Sequence, residues 1–186
     1  MPFSGPAWVS KFPTSSSLND LTEPFRASAT RFISALRAAG ATVIVSDTLR
    51  PPERAYLMHH CFVIAREAFA PGTVPSMPGV DIQWVHKNAA GGVDLAASKA
   101  AAEQMVSAYG IVFKPVLNSR HTEGKAVDMD ISWPANLIIA KADGTKQTIS
   151  SIPRTGVGNT DLHTVGASYG VIKLISDAPH WSSDGH

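Results

Sequence analysis

The sequence predicts an α+β fold, an antiparallel sheet with helices packed around it, and three observations predict it. Helical and strand-like segments do not follow the regular β-α-β order that builds a parallel sheet. Two strand-like runs, 137–141 and 147–151, flank Ala142-Asp143-Gly144-Thr145, a hairpin signature. No internal repeat, low-complexity tract or dividing linker interrupts the 186 residues, a length that suits one domain with a real hydrophobic core. The expectation is therefore a single domain over residues 1–186, with an irregular segment at 1–17.

Each element follows from local pattern. Phe25, Ala29, Phe32, Ile33 and Leu36 recur at helical spacing after Pro24, and Gly40 stops the run. Residues 42–46 (Thr-Val-Ile-Val-Ser) are short and β-branched, which predicts a buried strand. Arg50-Pro51-Pro52 breaks it, and a second helix is expected from Glu53 to about Phe69. Residues 71–92 are rich in Pro and Gly and read as a long loop. An Ala-rich helix over 93–108 ends at Gly110. Residues 126–133 alternate small or apolar residues with Asp128, Asp130 and Ser132, a strand pattern with polar groups on one face. A short helix at 160–169 and a strand at 171–175 complete the series, and Asp177-Ala178-Pro179-His180-Trp181 closes it.

Composition narrows the function classes. Apolar residues make up 44% and charged residues 17%, a folded rather than disordered balance. A net charge of +1 gives no reason to invoke nucleic acid or an anionic membrane as partner. No segment reaches the about 18 consecutive apolar residues that cross a bilayer. The single cysteine, Cys61, lies in an apolar helical run and reads as a packed thiol rather than a nucleophile. A monomer is expected.

The chemistry concentrates in residues 119–128, which read Ser-x-His-x-x-Gly-x-Ala-x-Asp. Imidazole nitrogen and carboxylate oxygen bind zinc at about 2.0–2.2 Å, and a catalytic site takes three protein ligands with one place left open. His121 precedes a turn that Gly124 permits, the returning strand brings Asp128 back beside it, and Ala126 leaves room near the metal. The far end supplies Asp177 three residues before His180. One of these two can bind the metal while the other reaches the water bound to it.

Both segments resemble the zinc D-alanyl-D-alanine carboxypeptidase and dipeptidase family, which shares its fold with the amino-terminal signalling domain of hedgehog proteins. The closest likeness is to its phage-lysin and L-alanyl-D-glutamate endopeptidase members, and it spans residues 46–181. The resemblance implies a zinc ion on His121, Asp128 and His180, with Asp177 as general base and Ser119 behind the ligands. Thr48-Leu49-Arg50 resembles the family segment that ends in an arginine, which implies that Arg50 holds substrate or the developing oxyanion. The carboxypeptidase branch usually carries Glu where this chain has Asp177, whereas Asp is common among the endopeptidases. The implied activity is hydrolysis of an amide bond in the peptidoglycan stem peptide, as L-alanyl-D-glutamate endopeptidase. The alternatives are removal of terminal D-alanine and a cell-wall-binding module without chemistry.

Other residues weigh less. Asp130 shares the strand face of Asp128 and reads equally as a solvated carboxylate. His59 and His60 read as packing or surface residues, His163 reads as structural with lining the cleft as its alternative, and His86 and His186 have no partner in view. Trp84, Trp133 and Trp181 are candidates for the border of a sugar-peptide groove, against the buried position that tryptophan more often takes. Residues 1–17 carry three prolines and no basic patch followed by an apolar stretch, so no secretory signal is expected. Synthesis in the (host) cytoplasm, with later release to the wall as a phage endolysin, follows as an expectation.

Overall fold

The computed structural model describes residues Met1–His186. It is an α+β structure with four α-helices: α1 (Phe25–Ala38), α2 (Pro52–Arg66), α3 (Leu95–Tyr109) and α4 (Thr160–Ser168). Its strands are β1 (Thr42–Asp47), β2 (His86–Lys87), β3 (Val93–Asp94), β4 (Ala126–Ser132), β5 (Leu137–Ala140), β6 (Lys146–Ile149), β7 (Ile172–Lys173) and β8 (His180–Ser182). All strand pairs are antiparallel, as the sequence leads one to expect. No helix is long and apolar enough to cross a membrane.

The chain packs as two compact units. One comprises Met1–Pro13 and Pro51–Asn118, the other Thr14–Arg50 and Ser119–His186. In the first unit α2 and α3 pack together, and Trp8, Leu57, Cys61, Ile82, Trp84, Met105 and Val106 form its core. Residues 71–92 are largely irregular, yet Val80, Ile82 and Trp84 anchor them in that core. Trp84 is therefore a core residue and borders no groove. Cys61 is fully buried, and burial pushes its thiol up to about 12, which keeps it in the inert form.

The second unit holds a four-stranded sheet in the order β1-β4-β8-β7, and β5 and β6 form the expected hairpin. Helix α1 buries Phe25, Ala29, Phe32, Ile33 and Leu36, the residues its helical spacing selects. It packs on β1 and β5, while α4 packs on β6 and β7. Strand β4 buries Val127, Met129 and Ile131 on one face and turns Asp128 and Asp130 to the other, as period-2 alternation requires.

Three expectations need correction. β1 is a half-buried edge strand, with Val43 buried but Ile44 60% exposed, because the sheet ends there. β8 has no counterpart in the sequence reading, since three residues after a proline are too short to show alternation. Trp181, a candidate for a substrate groove, is wholly buried and packs on Phe32 with ring centroids 5.4 Å apart. Trp133 is 5% exposed and belongs to the same core.

Gly166 in α4 makes that packing possible. A Cβ there would lie 2.7 Å from Trp181 Cζ3 and 2.8 Å from the Val171 carbonyl. The carbonyl belongs to the backbone and cannot swing aside. Gly166→Ala is therefore expected to destabilise the protein by about 1–3 kcal/mol despite the better helix propensity of alanine. A lower urea midpoint with unchanged slope checks this; an unchanged midpoint would contradict it.

Candidate metal centre

Three separate pieces of the second unit deliver the site. The first is the turn after Ser119. Ser119 Oγ accepts the Thr122 N–H, Thr122 Oγ1 donates to the Ser119 carbonyl, and the Glu123 N–H donates to the same carbonyl. Gly124 closes the turn at φ 66°, where L side chains are strained. A Cβ at Gly124 would also press within 3.1 Å of the Thr22 backbone nitrogen. Ser119 thus shapes the turn that carries His121 rather than touching the site directly.

The second piece is β4, and the third is β8. They pair so that Asp128 stands directly opposite His180, which brings Cβ atoms within about 5.5 Å of each other. Beside Asp128 the β1–β4 register slips. Val45 faces Met129 and Asp47 faces Asp128, leaving Ser46 as an extra residue whose hydroxyl donates to the Asp128 carbonyl. Bulges of this kind re-aim neighbouring side chains.

The result is a triangle. His121 Nε2, Asp128 Oδ1 and His180 Nδ1 lie 3.1 Å from one another on every side. Both imidazoles are buried, at 4% and 6% exposure. The outer nitrogens decide what the inner ones carry. His121 Nδ1 lies 2.8 Å from the Thr48 carbonyl, and His180 Nε2 lies 3.1 Å from the His186 backbone oxygen. A carbonyl only accepts, so each outer nitrogen holds the ring proton. In the neutral rings, then, both inner nitrogens present lone pairs to each other and to a carboxylate. Such an arrangement is repulsive unless a proton on an inner nitrogen or a cation at the centre relieves it.

A metal ion fits it. A tetrahedral ion with bonds of about 2.0–2.2 Å separates its donors by about 3.3–3.6 Å, a few tenths of an ångström beyond the observed edges. Two imidazoles and one carboxylate leave a fourth position open. These three residues form the one group of His, Cys, Asp and Glu side chains in the protein placed to hold a metal ion.

The electrostatics agree with the geometry. For Asp128 burial works against the charge, but hydrogen bonds from His121 and His180 and their charges hold its carboxyl far below the usual range. For His121 burial again opposes the charge. The Asp128 hydrogen bond and charge and the Thr48 carbonyl outweigh it and raise the pKa, while the nearby charge of Arg50 pulls the other way.

The other expected residues are placed as follows. Arg50 is half-buried, and its backbone N–H donates to the His121 carbonyl at 3.1 Å. Its guanidinium makes no hydrogen bond or ion pair, so no partner ties it down. Asp177 is exposed, its carboxylate makes no hydrogen bond, and its backbone leads into His180. It is not one of the three converging groups. Asp130 is exposed and stands outside the triangle. His163 donates from Nε2 to the Gly156 carbonyl and lies edge-on to Trp181, a packing role. Trp181 follows His180 on β8 with its ring on the core side.

Sequence reasoning missed the support. Thr48 is fully buried, and its hydroxyl lies 3.0 Å from both the Ser15 and Ser17 carbonyls, which fixes the carbonyl it offers to His121. Residues 182–186 hook back, with Ser182 Oγ accepting the N–H groups of Gly185 and His186. Arg120 pairs with Asp184 and with Glu123, tying the His121 turn to that hook. Backbone carbonyls meet the two imidazoles, and residue identity does not reveal which ones.

The pKa shifts set a sign for pH. Only neutral imidazole ligates, so protons compete with a metal. In the metal-free protein the raised His121 contributes stability below its unfolded value and loses it as pH rises through its folded value. The depressed Asp128 contributes above its unfolded value and loses it as pH falls through its folded one. A bound divalent ion reverses the His121 trend. The rise in Tm on adding a divalent transition metal is expected to shrink with acidification, starting above pH 6.5, the ordinary histidine value. A metal-induced rise that stays constant from pH 8 to pH 5 would contradict the ligand set.

No protein-family model matches the chain, and no curated protein matches it.

Proposed function

We propose that the protein is a zinc-dependent peptidase that hydrolyses an amide bond in the peptidoglycan stem peptide, acting as an L-alanyl-D-glutamate endopeptidase of the endolysin type. The observation that carries the reading is the set of three lone-pair donors, each 3.1 Å from the other two. Two imidazoles and a carboxylate suit zinc, and a three-ligand set with an open position is the pattern of catalytic rather than structural zinc. The resemblance of residues 119–128 and 177–181 to the zinc D-alanyl-D-alanine peptidases supplies the substrate class.

His121, Asp128 and His180 would hold the zinc, which would supply Lewis acidity toward the scissile carbonyl and a water. Asp177, exposed and without a hydrogen-bond partner, accepts the proton of the attacking water and returns it to the leaving amine. Arg50 offers an unpaired guanidinium whose charge already acts on His121. It steadies the negative charge that develops on the carbonyl oxygen. Thr48 and the hook at residues 182–186 keep the ligand rings from turning. Action at the wall after synthesis in the cytoplasm belongs to the same proposal, with the protein working as a monomer.

Purified sacculi test the reading directly. Digestion is expected to release new amino-terminal D-glutamate, to stop on chelation and to resume with zinc. Free D-alanine as the only product would replace the endopeptidase with a carboxypeptidase. No product from the zinc-loaded protein would leave a binding module.

Two substitutions divide the roles. Asp177→Ala is expected to lower turnover on sacculi by about 10²–10⁴-fold, the usual worth of a positioned acid–base group, while zinc affinity stays within a few-fold. Arg50→Ala is expected to lower kcat with the same zinc affinity. Wild-type turbidity loss by Asp177→Ala would remove Asp177 from the mechanism.

A further inference from the structure

Lys173 is a buried cation that the proposed mechanism does not use. It lies on β7, opposite Trp181 across the β7–β8 pair, and is only 6% exposed. Its ammonium forms no ion pair with a carboxylate. It donates instead to the backbone oxygens of Leu174, Asp177 and His180. An ammonium has three N–H bonds, and all are used. Removing such a charge from water is costly, and a position that needed only volume would be better served by Met or Leu. The arrangement therefore asks for a reason.

The three carbonyls belong to one short connection, residues 174–180, which carries Asp177 and delivers His180 onto β8. Its internal bonds are few: Asp177 N–H to Leu174 O at 3.3 Å, His180 N–H to Asp177 O at 3.2 Å, and Leu174 N–H to His180 O at 3.1 Å. Two of these are long. Lys173 Nζ gathers the same three carbonyl groups around one point. The path into His180 is thus set by a charge at its centre, with the Trp181 ring 5.9 Å away on the core side.

We propose that Lys173 is a positioning residue for the metal ligand His180. By clamping residues 174–180 it fixes where the His180 backbone enters β8, so the imidazole points at His121 and Asp128 before any metal binds. A ligand held in place loses less freedom on binding, which is how outer groups raise metal affinity. The inference rests on the metal reading of the site and adds the residue that preorganises it.

Zinc titration of the full chain tests it, with wild type, Lys173→Met, His180→Ala and the double variant, each followed by calorimetry into the millimolar range. Lys173→Met is expected to weaken zinc binding by about 10–100-fold, the loss seen for outer-shell partners. In the His180→Ala background the same substitution is expected to change the residual affinity less than about twofold, because the ligand it positions is gone. Equal losses in both backgrounds would make Lys173 a general stabiliser and overturn the proposal, as would wild-type affinity in Lys173→Met. If Lys173→Met fails to fold, Lys173→Gln, which keeps two N–H bonds without the charge, is read in the same cycle. A wild type that binds no zinc would sink the metal reading itself, and the proposal with it.

Discussion

Lone pairs facing one another across 3.1 Å repel, and most of what surrounds His121, Asp128 and His180 exists to keep them there. Left free, either imidazole would rotate and use its inner nitrogen elsewhere. Both are prevented by a carbonyl on the outer side: Thr48 for His121, His186 for His180. Each carbonyl is itself held. Thr48 is tied to Ser15 and Ser17, and the His186 N–H is tied to Ser182. The centre is preorganised two layers deep, by backbone oxygens on the rings and by the Thr48 and Ser182 hydroxyls behind them, an arrangement that favours a bound cation over a loose polar pocket.

The sheet explains why three distant stretches converge. Pairing of β4 with β8 puts Asp128 and His180 on facing positions, and the bulge at Ser46 gives β1 the extra residue beside them. The chain leaves β1 through Thr48 and Arg50, where the Arg50 N–H meets the His121 carbonyl. One strand end therefore supplies both the carbonyl that fixes the His121 ring and the N–H that holds the His121 backbone. Behind the sheet Trp181 fills the core, and Gly166 leaves the room its ring requires. Packing on one face and the candidate metal centre on the other use adjacent residues of β8, as alternation along a strand allows.

Charge is balanced in the same compact region. Asp128 is the single carboxylate of the triangle, and it stays ionised against burial because two imidazoles share it. Lys173 carries a positive charge through carbonyl dipoles rather than through a carboxylate, which leaves Asp128 to the site. Arg50 brings a second positive charge with no partner of its own.

Much of this was legible from local pattern. Helical spacing selected the five residues α1 buries, the hairpin signature found β5 and β6, and Ser119 to Asp128 announced a turn that returns beside its own start. Those features depend on neighbours in sequence, so periodicity, a glycine and a ligand spacing suffice. Long-range pairing decided the rest. It made Trp181 a core residue, made β1 an edge and turned a three-residue stretch into the strand that carries His180. Thr48 and His186 hold the two imidazoles through backbone oxygens that the fold sets beside them. A side-chain alphabet does not spell that out, because every residue carries the same carbonyl and only the fold says which one is close.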